Sequence, residues 1–386
     1  MSDVFQGFRR QDGRVGVRNH LLIMSVTGLT GPTARRIAGA IAGARLVSTQ
    51  FGSGLLNEDA AVQTRSLIGF GKHPNVGATL IIGANPPQVH DMAEEIARAG
   101  TPVEALVLDD CGHDAITLTE RGLRLAALLA RDVSRQRRES AGLSELFLAA
   151  ECGRSDPSSG LVSNPLVGRI VDRVVAAGGR AMIGETIEWL CAEHLLAARA
   201  ASPKVASAIE AAVARRERLA VEAGIDLNGN NPGPTNIAAG LSTIEEKSLG
   251  AIAKAGTSPI RSVVGIGEAP TGPGLHVMDA PSYAPESLGG FVAAGAQMVL
   301  FTTGVGNSFA SGLAPTIKLS ANPVTAKRLT EQLDFDASAV FESRETIEAA
   351  SERLTRLVLD VASGTVTFGE ILNEGEDVVS RLGPAL

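Results

Sequence analysis

Short apolar runs alternate with longer amphipathic stretches along most of this chain, and this alternation restricts its fold more than any other feature. The candidate strands are residues 19–26, 44–48, 77–83, 103–108, 146–150, 180–183, 261–265, 298–302 and 317–320. Helical patterns intervene at residues 31–42, 87–99, 115–137, 186–200 and 205–223. Strands that alternate with helices form βαβ units around a parallel sheet. We therefore expect an α/β fold of two doubly wound, mostly parallel-sheet (Rossmann-like) domains.

The length predicts more than one domain. A chain of 386 residues exceeds what a single hydrophobic core usually serves. The polar segment 135–144, which begins Arg-Gln-Arg-Arg-Glu-Ser, has the composition of a boundary. We expect an N-terminal α/β domain over residues 1–140 and a C-terminal α/β domain with a helical tail over residues 141–386.

The composition argues against several classes of protein. A net charge of −7 and an aromatic content of 3% disfavour nucleic-acid binding, which needs basic surfaces and stacking side chains. No run reaches the about 18 apolar residues of a membrane span, and the N-terminus lacks the pattern of a signal peptide. Cys111, Cys152 and Cys191 show no disulfide pattern. We expect a cytoplasmic protein with no nucleic-acid and no membrane partner.

Segment 151–160 concentrates reactive side chains directly after the apolar run 146–150. Ligands of α/β enzymes bind at the carboxyl ends of strands, where this segment falls. Cys152 fits a metal-bound thiolate, and Glu151 or Asp156 fits a carboxylate ligand or a general base. The alternative is a buried cysteine beside a capping aspartate and serines.

A dense positive group lies near the N-terminus of this acidic chain. Arg9, Arg10, Arg14 and Arg18 fall within ten residues of one another. Guanidinium groups bind carboxylates and sulfonates bidentately, so these arginines are candidates for an anion clamp. The alternative is an N-terminal segment that forms salt bridges with the domain surface.

Residues 184–194 follow the strand at 180–183 and begin a predicted helix. Glu188, Cys191 and His194 are spaced three apart, so they share one broad helix face and could hold a metal. The alternative is that they are solvated side chains on an exposed helix.

Three later features add candidates for anion binding. The amide-rich loop 228–236 could bind hydroxyl groups, or it is simply a connector with turns. Lys247 lies one turn into a helix with a capping box at 242–245, and it is a candidate for anion binding or proton transfer unless it is solvated. The glycine-rich turn 302–308 presents backbone N–H groups to an anion but is neither a P-loop nor a dinucleotide fingerprint. Lys318 lies in the strand that follows.

Several motifs occur together in a recognisable order. They are Asp-Gly-Arg-x-Gly-x-Arg-Asn at 12–19, Glu-Cys-Gly-x-Ser-Asp-x-x-Ser-Gly at 151–160, Glu185-Thr186, Glu193-His194, Leu-Ser-Thr-Ile-Glu-Glu-Lys at 241–247 and Ile317-Lys318. Together they resemble the altronate/galactarate dehydratase family, from about Phe5 to Asn322.

This resemblance implies a lyase that acts on a 2-hydroxy acid with Fe(II) or Mn(II) as the activating metal. The expected reaction is a metal-assisted β-elimination that converts a sugar acid to a 2-keto-3-deoxy acid. One alternative is the large subunit of (2R)-3-sulfolactate sulfo-lyase, which releases sulfite and pyruvate, and a second is a non-catalytic relative that binds sugar acids. Because the family's small N-terminal domain is either fused or separate, we also expect an oligomer with a small partner subunit of about 100 residues.

The chain departs from the family's dehydratases at three places where those proteins carry cysteines. Here these places read Thr27-Gly28-Leu29, Gly52-Ser53-Gly54 and Gly83-Ala84-Asn85-Pro86. The sulfo-lyase branch is also poor in cysteine there, and its Arg-Asn-His motif matches residues 18–20 of this chain.

The resemblance and the chemistry of elimination together assign roles to the candidates. Glu151 or Asp156 is the base or a metal ligand, while Lys247 and Lys318 stabilise developing charge. The metal candidates are Cys152, Glu185 and His194. The candidates for substrate binding are Arg14, Arg18, Asn19, Ser155, Ser159, Asn164, Asn236, Thr303 and Asn307.

Overall fold

Two parallel sheets dominate the fold. A computed structural model of the protein describes residues 3–52, 54–227, 231–379 and 383, so the amide-rich loop expected at 228–236 is described only from Asn231 onward. The strands are β1 (Val4–Arg9), β2 (Val15–Gly16), β3 (His20–Ser25), β4 (Arg45–Ser48), β5 (Val76–Gly83), β6 (Val103–Val107), β7 (Glu139–Gly142), β8 (Phe147–Cys152), β9 (Arg180–Ile183), β10 (Ile260–Gly265), β11 (Gly274–Asp279), β12 (Met298–Thr302), β13 (Thr316–Ser320) and β14 (Phe335–Asp336).

Helices connect these strands and cover the sheets. They are α1 (Gly31–Ala40), α2 (Asn57–Gly71), α3 (Pro86–Arg98), α4 (Ala115–Val133), α5 (Asn164–Ala176), α6 (Glu193–Ala197), α7 (Pro203–Glu222), α8 (Pro234–Ala238), α9 (Ile244–Ile252), α10 (Ala284–Ala293), α11 (Pro323–Arg328), α12 (Ser338–Phe341), α13 (Ile347–Ala362) and α14 (Phe368–Ile371). No helix within the described ranges is long and apolar enough to cross a membrane.

The sheet topology confirms the predicted fold class. The first half of the chain forms a four-stranded sheet in the order β4-β3-β5-β6, and the second half forms a seven-stranded sheet in the order β10-β11-β9-β8-β12-β13-β14. All pairs of neighbouring strands in both sheets are parallel. The protein is therefore an α/β protein with two Rossmann-like sheets.

A small antiparallel sheet, β2-β1-β7, was not expected from the sequence. Residues Phe5, Val15 and Val17 are buried in the same core as residues of the seven-stranded sheet. The segment 135–144, expected to be a boundary, contains β7, which pairs with β1 from Val4 to Gly7. The beginning of the chain therefore packs against its C-terminal half.

Strand β8 lies at the centre of the seven-stranded sheet and at its topological switch point. The chain continues from β8 to β9 on one side and later returns to β12 on the other. The apolar residues of β8 alternate between two cores, with Leu148 and Ala150 facing one and Phe147 and Ala149 facing the other. A switch point is where ligands bind in open α/β sheets, at the carboxyl ends of the strands.

Candidate active site

Strand β8 ends in two buried polar residues, Glu151 and Cys152. Glu151 has 0% of its surface exposed and Cys152 has 1%. The Glu151 carboxylate accepts a hydrogen bond from the Cys152 backbone N–H at 2.9 Å and another from the Ser287 hydroxyl, on α10, at 2.5 Å. Both oxygens of Glu151 are thus held at the switch point of the sheet.

Glu185 and Glu188 approach the same point from the loop after β9. The predicted helix at 186–200 is broken because Glu185 and Cys191 have left-handed backbone, with φ of 59° and 66°. A short 3-10 turn, Thr186–Trp189, replaces its first part and places Glu188 so that it accepts a hydrogen bond from the Cys152 thiol at 3.1 Å. The Glu185 carboxylate is buried and has no hydrogen-bond partner among the described residues.

Two lysines supply the positive charge of this cluster. Lys254, in the turn after α9, has 1% of its side chain exposed. Its ammonium donates to Glu188 Oε2 at 2.6 Å and to Cys152 Sγ at 3.0 Å, and it lies 3.6 Å from Glu151 Oε1. Lys247, on α9, lies 3.4 Å from Glu188 Oε1 and donates to Asn231 Oδ1. We call Glu151, Cys152, Glu185, Glu188, Lys247 and Lys254 the buried cluster.

The lysines fix the charge of Glu188. Burial alone would raise its pKa, but Lys254 and Lys247 outweigh burial and lower the pKa of Glu188 to about 2. Burial also opposes the charge of Lys254, yet Cys152 and the neighbouring carboxylates raise the pKa of Lys254 well above its usual range. Glu188 and Lys254 therefore form a buried ion pair.

The remaining acids of the cluster resist ionisation. Burial, helped by Glu151 and Glu188, raises the pKa of Glu185 well above its usual range. Burial raises the pKa of Glu151, although Lys254 works against this. Burial and the Glu188 charge raise the pKa of the Cys152 thiol. Perturbed groups that meet at a strand end are typical of a functional site.

The donor atoms of the cluster are compatible with a metal site. One ligand atom from each of Glu151, Cys152 and Glu188 lies within 4.8 Å of the others, and all three residues are buried. Thiolate and carboxylate ligands suit divalent transition metals. This set differs from the predicted one, because Glu188 takes the place expected for His194, while Glu185 lies beside the set without joining it.

A pocket of about 310 Å³ adjoins the cluster at Lys247. Ser155, Asp156 and Asn164 line it from the β8 side, and Leu241 and Gly250 line it from the α9 side. The Ser155 hydroxyl is buried and has no hydrogen-bond partner in the part of the chain that the structure describes. An unpartnered hydroxyl in a pocket wall is a natural contact for a polar ligand.

Asp156 is an anchor of its loop. Its carboxylate accepts hydrogen bonds from the Ser158 hydroxyl at 2.7 Å, from the N–H and hydroxyl of Ser159 at 3.0 and 3.1 Å, and from Asn322 Nδ2 at 2.7 Å. These donors occupy both oxygens of Asp156, just as Ser287 and the Cys152 N–H occupy those of Glu151, so hydrogen bonding alone does not select one of the two as a base. Ser159 has a supporting role in this loop.

Four other predicted residues lie around the same strand ends. Asn164 accepts a hydrogen bond from Thr302 at 2.6 Å, and Asn236 donates to the Ser155 carbonyl at 2.8 Å. Thr303 and Asn307 accept backbone N–H groups within the turn after β12, at 3.0 and 2.9 Å. Asn164 lines the pocket itself, Asn236 holds the loop that contains Ser155, and Thr303 and Asn307 stabilise the turn after β12.

Five predicted residues contact other groups or are exposed, and their predicted roles in substrate binding, catalysis or metal binding stay predictions. The five donors of Arg18 are used by Glu370 and by the carbonyls of Val17, Val361 and Thr365. Three others are also held by hydrogen bonds. Arg14 binds Asp12 and the Lys72 carbonyl, Asn19 binds Arg10 and the Val133 carbonyl, and Lys318 binds Glu374 and the Ser308 carbonyl. The fifth, His194, is exposed on α6. Arg9 and Arg18 form salt bridges with Glu145 and Glu370, as the alternative interpretation of this segment expects, while Arg14 pairs locally with Asp12.

Sequence reasoning missed Lys254 and Ser287. Lys254 is the single charged residue in the run Gly250–Gly256, and an isolated lysine in such a run is a usable signal. Ser287 carries no signal of its own, because a serine in an apolar helix is common. Glu188 was considered, but only on a helix face with Cys191 and His194 that does not form.

The family of the chain follows from comparison with known proteins. The profile described as D-galactarate/Altronate dehydratase, C-terminal, matches residues 143–385. The profile described as D-galactarate dehydratase/Altronate hydrolase, second domain, matches residues 7–134. The chain belongs to this dehydratase family, which confirms the resemblance of its motifs, and it is an enzyme of the lyase class.

Curated relatives align with nearly the whole chain. Subunit beta of (2R)-sulfolactate sulfo-lyase from Chromohalobacter salexigens is 35% identical over 98% of this chain and 97% of its own length. Altronate dehydratase from Bacillus subtilis is 31% identical over 99% of this chain and 78% of its own length. Altronate dehydratase from Escherichia coli is also 31% identical, with the same coverage of both chains.

Proposed function

We propose that this protein catalyses β-elimination from a small 2-hydroxy acid bound in the pocket beside Lys247. The observation that carries the proposal is the cluster at the carboxyl end of β8. There Glu151, whose pKa burial raises, lies 3.6 Å from Lys254, and Glu188 lies 3.4 Å from Lys247 at the pocket wall. A site that contains both a base and fixed positive charge suits a reaction that builds negative charge.

The chemistry explains why these residue types are needed together. A proton next to a carboxylate is weakly acidic, so its removal requires stabilisation of the charge that develops on the carboxylate. Glu151 takes the proton from C2 in this proposal, while Lys247 faces the substrate anion from the pocket wall. The leaving group departs from C3, and the resulting enol becomes a 2-keto acid.

The pocket walls contribute binding and orientation. Ser155 offers its unpartnered hydroxyl to the substrate, and Asn164 is fixed by Thr302 on one side and the Gly250 carbonyl on the other. Glu151 acts as the base when no ion is bound. A divalent ion such as Fe(II) or Mn(II), if held by Glu151, Cys152 and Glu188, would instead supply a Lewis acid for the substrate's carboxylate and hydroxyl.

Two leaving groups have specific support. Sulfite is favoured by the sulfo-lyase subunit, whose similarity extends over nearly all of both chains. Water is the second candidate, because altronate dehydratases are 31% identical over 99% of this chain. Sulfite leaves without a proton donor but needs a cation close by, which Lys247 provides. A hydroxyl group must gain a proton to leave as water, and in the dehydratase reaction the Lys247 ammonium at the pocket wall would donate it.

The name of the sulfo-lyase relative marks it as one subunit of an enzyme. We propose that this chain likewise acts with a partner subunit, and that residues 1–140 and 141–386 correspond to its two domains. A binding-only relative remains the outcome to be expected if no substrate is turned over.

One assay tests the proposal. The protein, alone and with a candidate partner subunit, is incubated with (2R)-sulfolactate, altronate or galactarate, and both 2-keto acid and free sulfite are measured. Keto acid with equal sulfite identifies the sulfo-lyase reaction, and keto acid without sulfite identifies the dehydratase. Lys247→Met should reduce kcat/KM by at least about 100-fold, as expected for loss of a transition-state contact, whereas the exposed Lys204→Met should not. Binding of a substrate without any turnover would overturn the proposal.

A further inference from the structure

The ammonium group of Lys254 lies among the three atoms that would hold a metal. It is 2.6 Å from Glu188 Oε2, 3.0 Å from Cys152 Sγ and 3.6 Å from Glu151 Oε1. A metal bound to the same groups would lie about 2.0–2.3 Å from each ligand atom. An ion and the ammonium therefore compete for one small space, in which the ligand atoms are at most 4.8 Å apart.

The three candidate metal ligands already have hydrogen-bond partners with lysine present. The Cys152 thiol donates to Glu188 and accepts from Lys254, and Glu151 accepts from Ser287 and the Cys152 backbone. Within the buried cluster, Glu185 alone has no such partner among the described residues. Insertion of an ion between the other groups would break several hydrogen bonds at once.

Electrostatics gives the same result. Two like charges separated by a few ångströms repel strongly where water is excluded. Lys254 cannot move easily into solvent, since its side chain is 1% exposed and the neighbouring Ala253 and Gly256 pack directly against Gly168 of α5. Retreat of the ammonium would bury a charge without its partners.

We infer that Lys254 and a divalent metal ion are alternative occupants of the site formed by Glu151, Cys152 and Glu188, so that Lys254 sets how tightly this chain binds a metal. The inference goes beyond the proposed function, because it concerns occupancy of the cluster and not the identity of the substrate. Metal binding measured without substrate therefore tests it separately from turnover.

The first experiment compares the whole protein with its Lys254→Met variant, since methionine is similar in length and uncharged. Co(II) is titrated into each protein, and the thiolate-to-cobalt absorption band is followed. We expect Lys254→Met to bind Co(II) at least about tenfold more tightly than the wild type because the competing charge is gone. The double variant Lys254→Met/Cys152→Ser should lose the band, and the exposed Lys204→Met should bind as the wild type does. Equal affinity in wild type and Lys254→Met would overturn the inference.

The second experiment needs no variant and covers the case in which Lys254→Met does not fold. Crystals of the wild-type protein are grown with Mn(II), and anomalous scattering locates the ion. The inference holds if no ion is bound by the three residues while Lys254 keeps its place, or if an ion is bound there and Lys254 has withdrawn. An ion bound to all three residues with Lys254 still contacting Glu188 and Cys152 refutes it.

Discussion

At the scale of single residues, the charge of Glu188 is set by the lysines on either side of it. Lys254 contacts one of its oxygens and Lys247 approaches the other. A buried carboxylate is tolerated only when it is paired and hydrogen-bonded in this way. The pair stabilises the fold only while both partners are present, because removal of either one leaves the other as an unpaired buried charge.

Replacement of Glu188 by glutamine should therefore destabilise the protein by about 3–5 kcal/mol, since it leaves Lys254 buried without its main partner. Urea unfolding measures this free energy. The double variant Glu188→Gln/Lys254→Met should recover part of the loss, because it removes both charges. Glu120→Gln breaks the exposed Arg124–Glu120 pair and should change stability by less than about 1 kcal/mol. A loss in Glu188→Gln no larger than in Glu120→Gln would contradict the buried pair.

Removal of the Ser155 hydroxyl should weaken substrate binding without changing the stability of the protein. Because this hydroxyl has no hydrogen-bond partner among the described residues, Ser155→Ala should leave the unfolding free energy nearly unchanged. It should raise KM for the substrate by roughly 3–10-fold, the equivalent of one hydrogen bond, with a smaller effect on kcat. Ser163→Ala is the matched control, since the Ser163 hydroxyl is also buried and unpartnered but is not among the residues that line the pocket. Equal KM values for the two variants would remove Ser155 from the substrate contacts.

The sequence identified the acids of the site better than its bases. Glu151, Cys152 and Glu185 come at or near the ends of apolar runs, so the sequence itself predicts that they lie at strand ends. Lys254 comes from a turn about 100 residues later, at a Cys152–Lys254 separation of 102. Only the packing of the turn after α9 against α5 and β8 brings Lys254 there, and no local sequence pattern indicates that packing.

At the scale of elements, two neighbouring loops fit together with no spare room. A Cβ atom on Gly304, after β12, would lie 2.6 Å from the Asp156 backbone nitrogen in the loop after β8. The glycine lets the two loops touch, and this contact supports one wall of the pocket.

The Gly304→Ala variant should accordingly lose about 1–3 kcal/mol of stability through overpacking and should bind substrate more weakly. The control is Gly39→Ala, because Gly39 lies in α1 and a Cβ there meets no atom within 4 Å. That change should stabilise the protein by about 0.5–1 kcal/mol, as expected for alanine in a helix. Thermal unfolding compares the two variants. Wild-type stability in Gly304→Ala would contradict the prediction, because it would mean that the two loops can move apart to accommodate the added methyl group.

Most long elements were predictable, and the exceptions have physical reasons. The strands expected at 180–183 and 298–302 match β9 and β12 residue for residue. Strand β11 was missed because it begins with glycine and carries His276 among its apolar residues, and β7 was missed because it is nearly devoid of apolar side chains. Such strands form because their neighbours in the sheet complete their hydrogen bonds.

At the scale of the whole molecule, the N-terminal half and the seven-stranded sheet meet at His73 and Asn75. His73 Nε2 donates to the Ala296 carbonyl at 2.9 Å, and Asn75 Nδ2 donates to the carbonyls of Gln297 and Leu313, each at 2.9 Å. Burial lowers the pKa of His73 to about 3 despite its bond to Ala296. His73 is therefore a neutral, hydrogen-bonded link between the two halves.

This link predicts a loss of stability in acid. Between pH 6.5 and pH 3 the unfolded chain binds a proton at His73 that the folded protein does not, so acid favours unfolding over this range. His73→Gln should be less stable than the wild type at pH 7, yet its stability should fall less steeply from pH 6.5 to pH 3. Urea unfolding at several pH values measures both slopes. The control is His90→Gln, at an exposed histidine, which should show the wild-type dependence of stability on pH. If His73→Gln showed that same dependence, His73 could not be the source of the acid instability.

The N-terminal strand also carries a consequence for biosynthesis. Phe5 belongs to the core of the C-terminal half, and Arg18 is held by Glu370, which lies 352 positions later. Although β1 can pair with β7 earlier, β1 lacks α13, which packs on it, and Arg18 lacks Glu370 until almost the entire polypeptide has left the ribosome. A nascent chain that exposes apolar side chains for so long is vulnerable to aggregation, so cellular yield should depend on chaperones during translation.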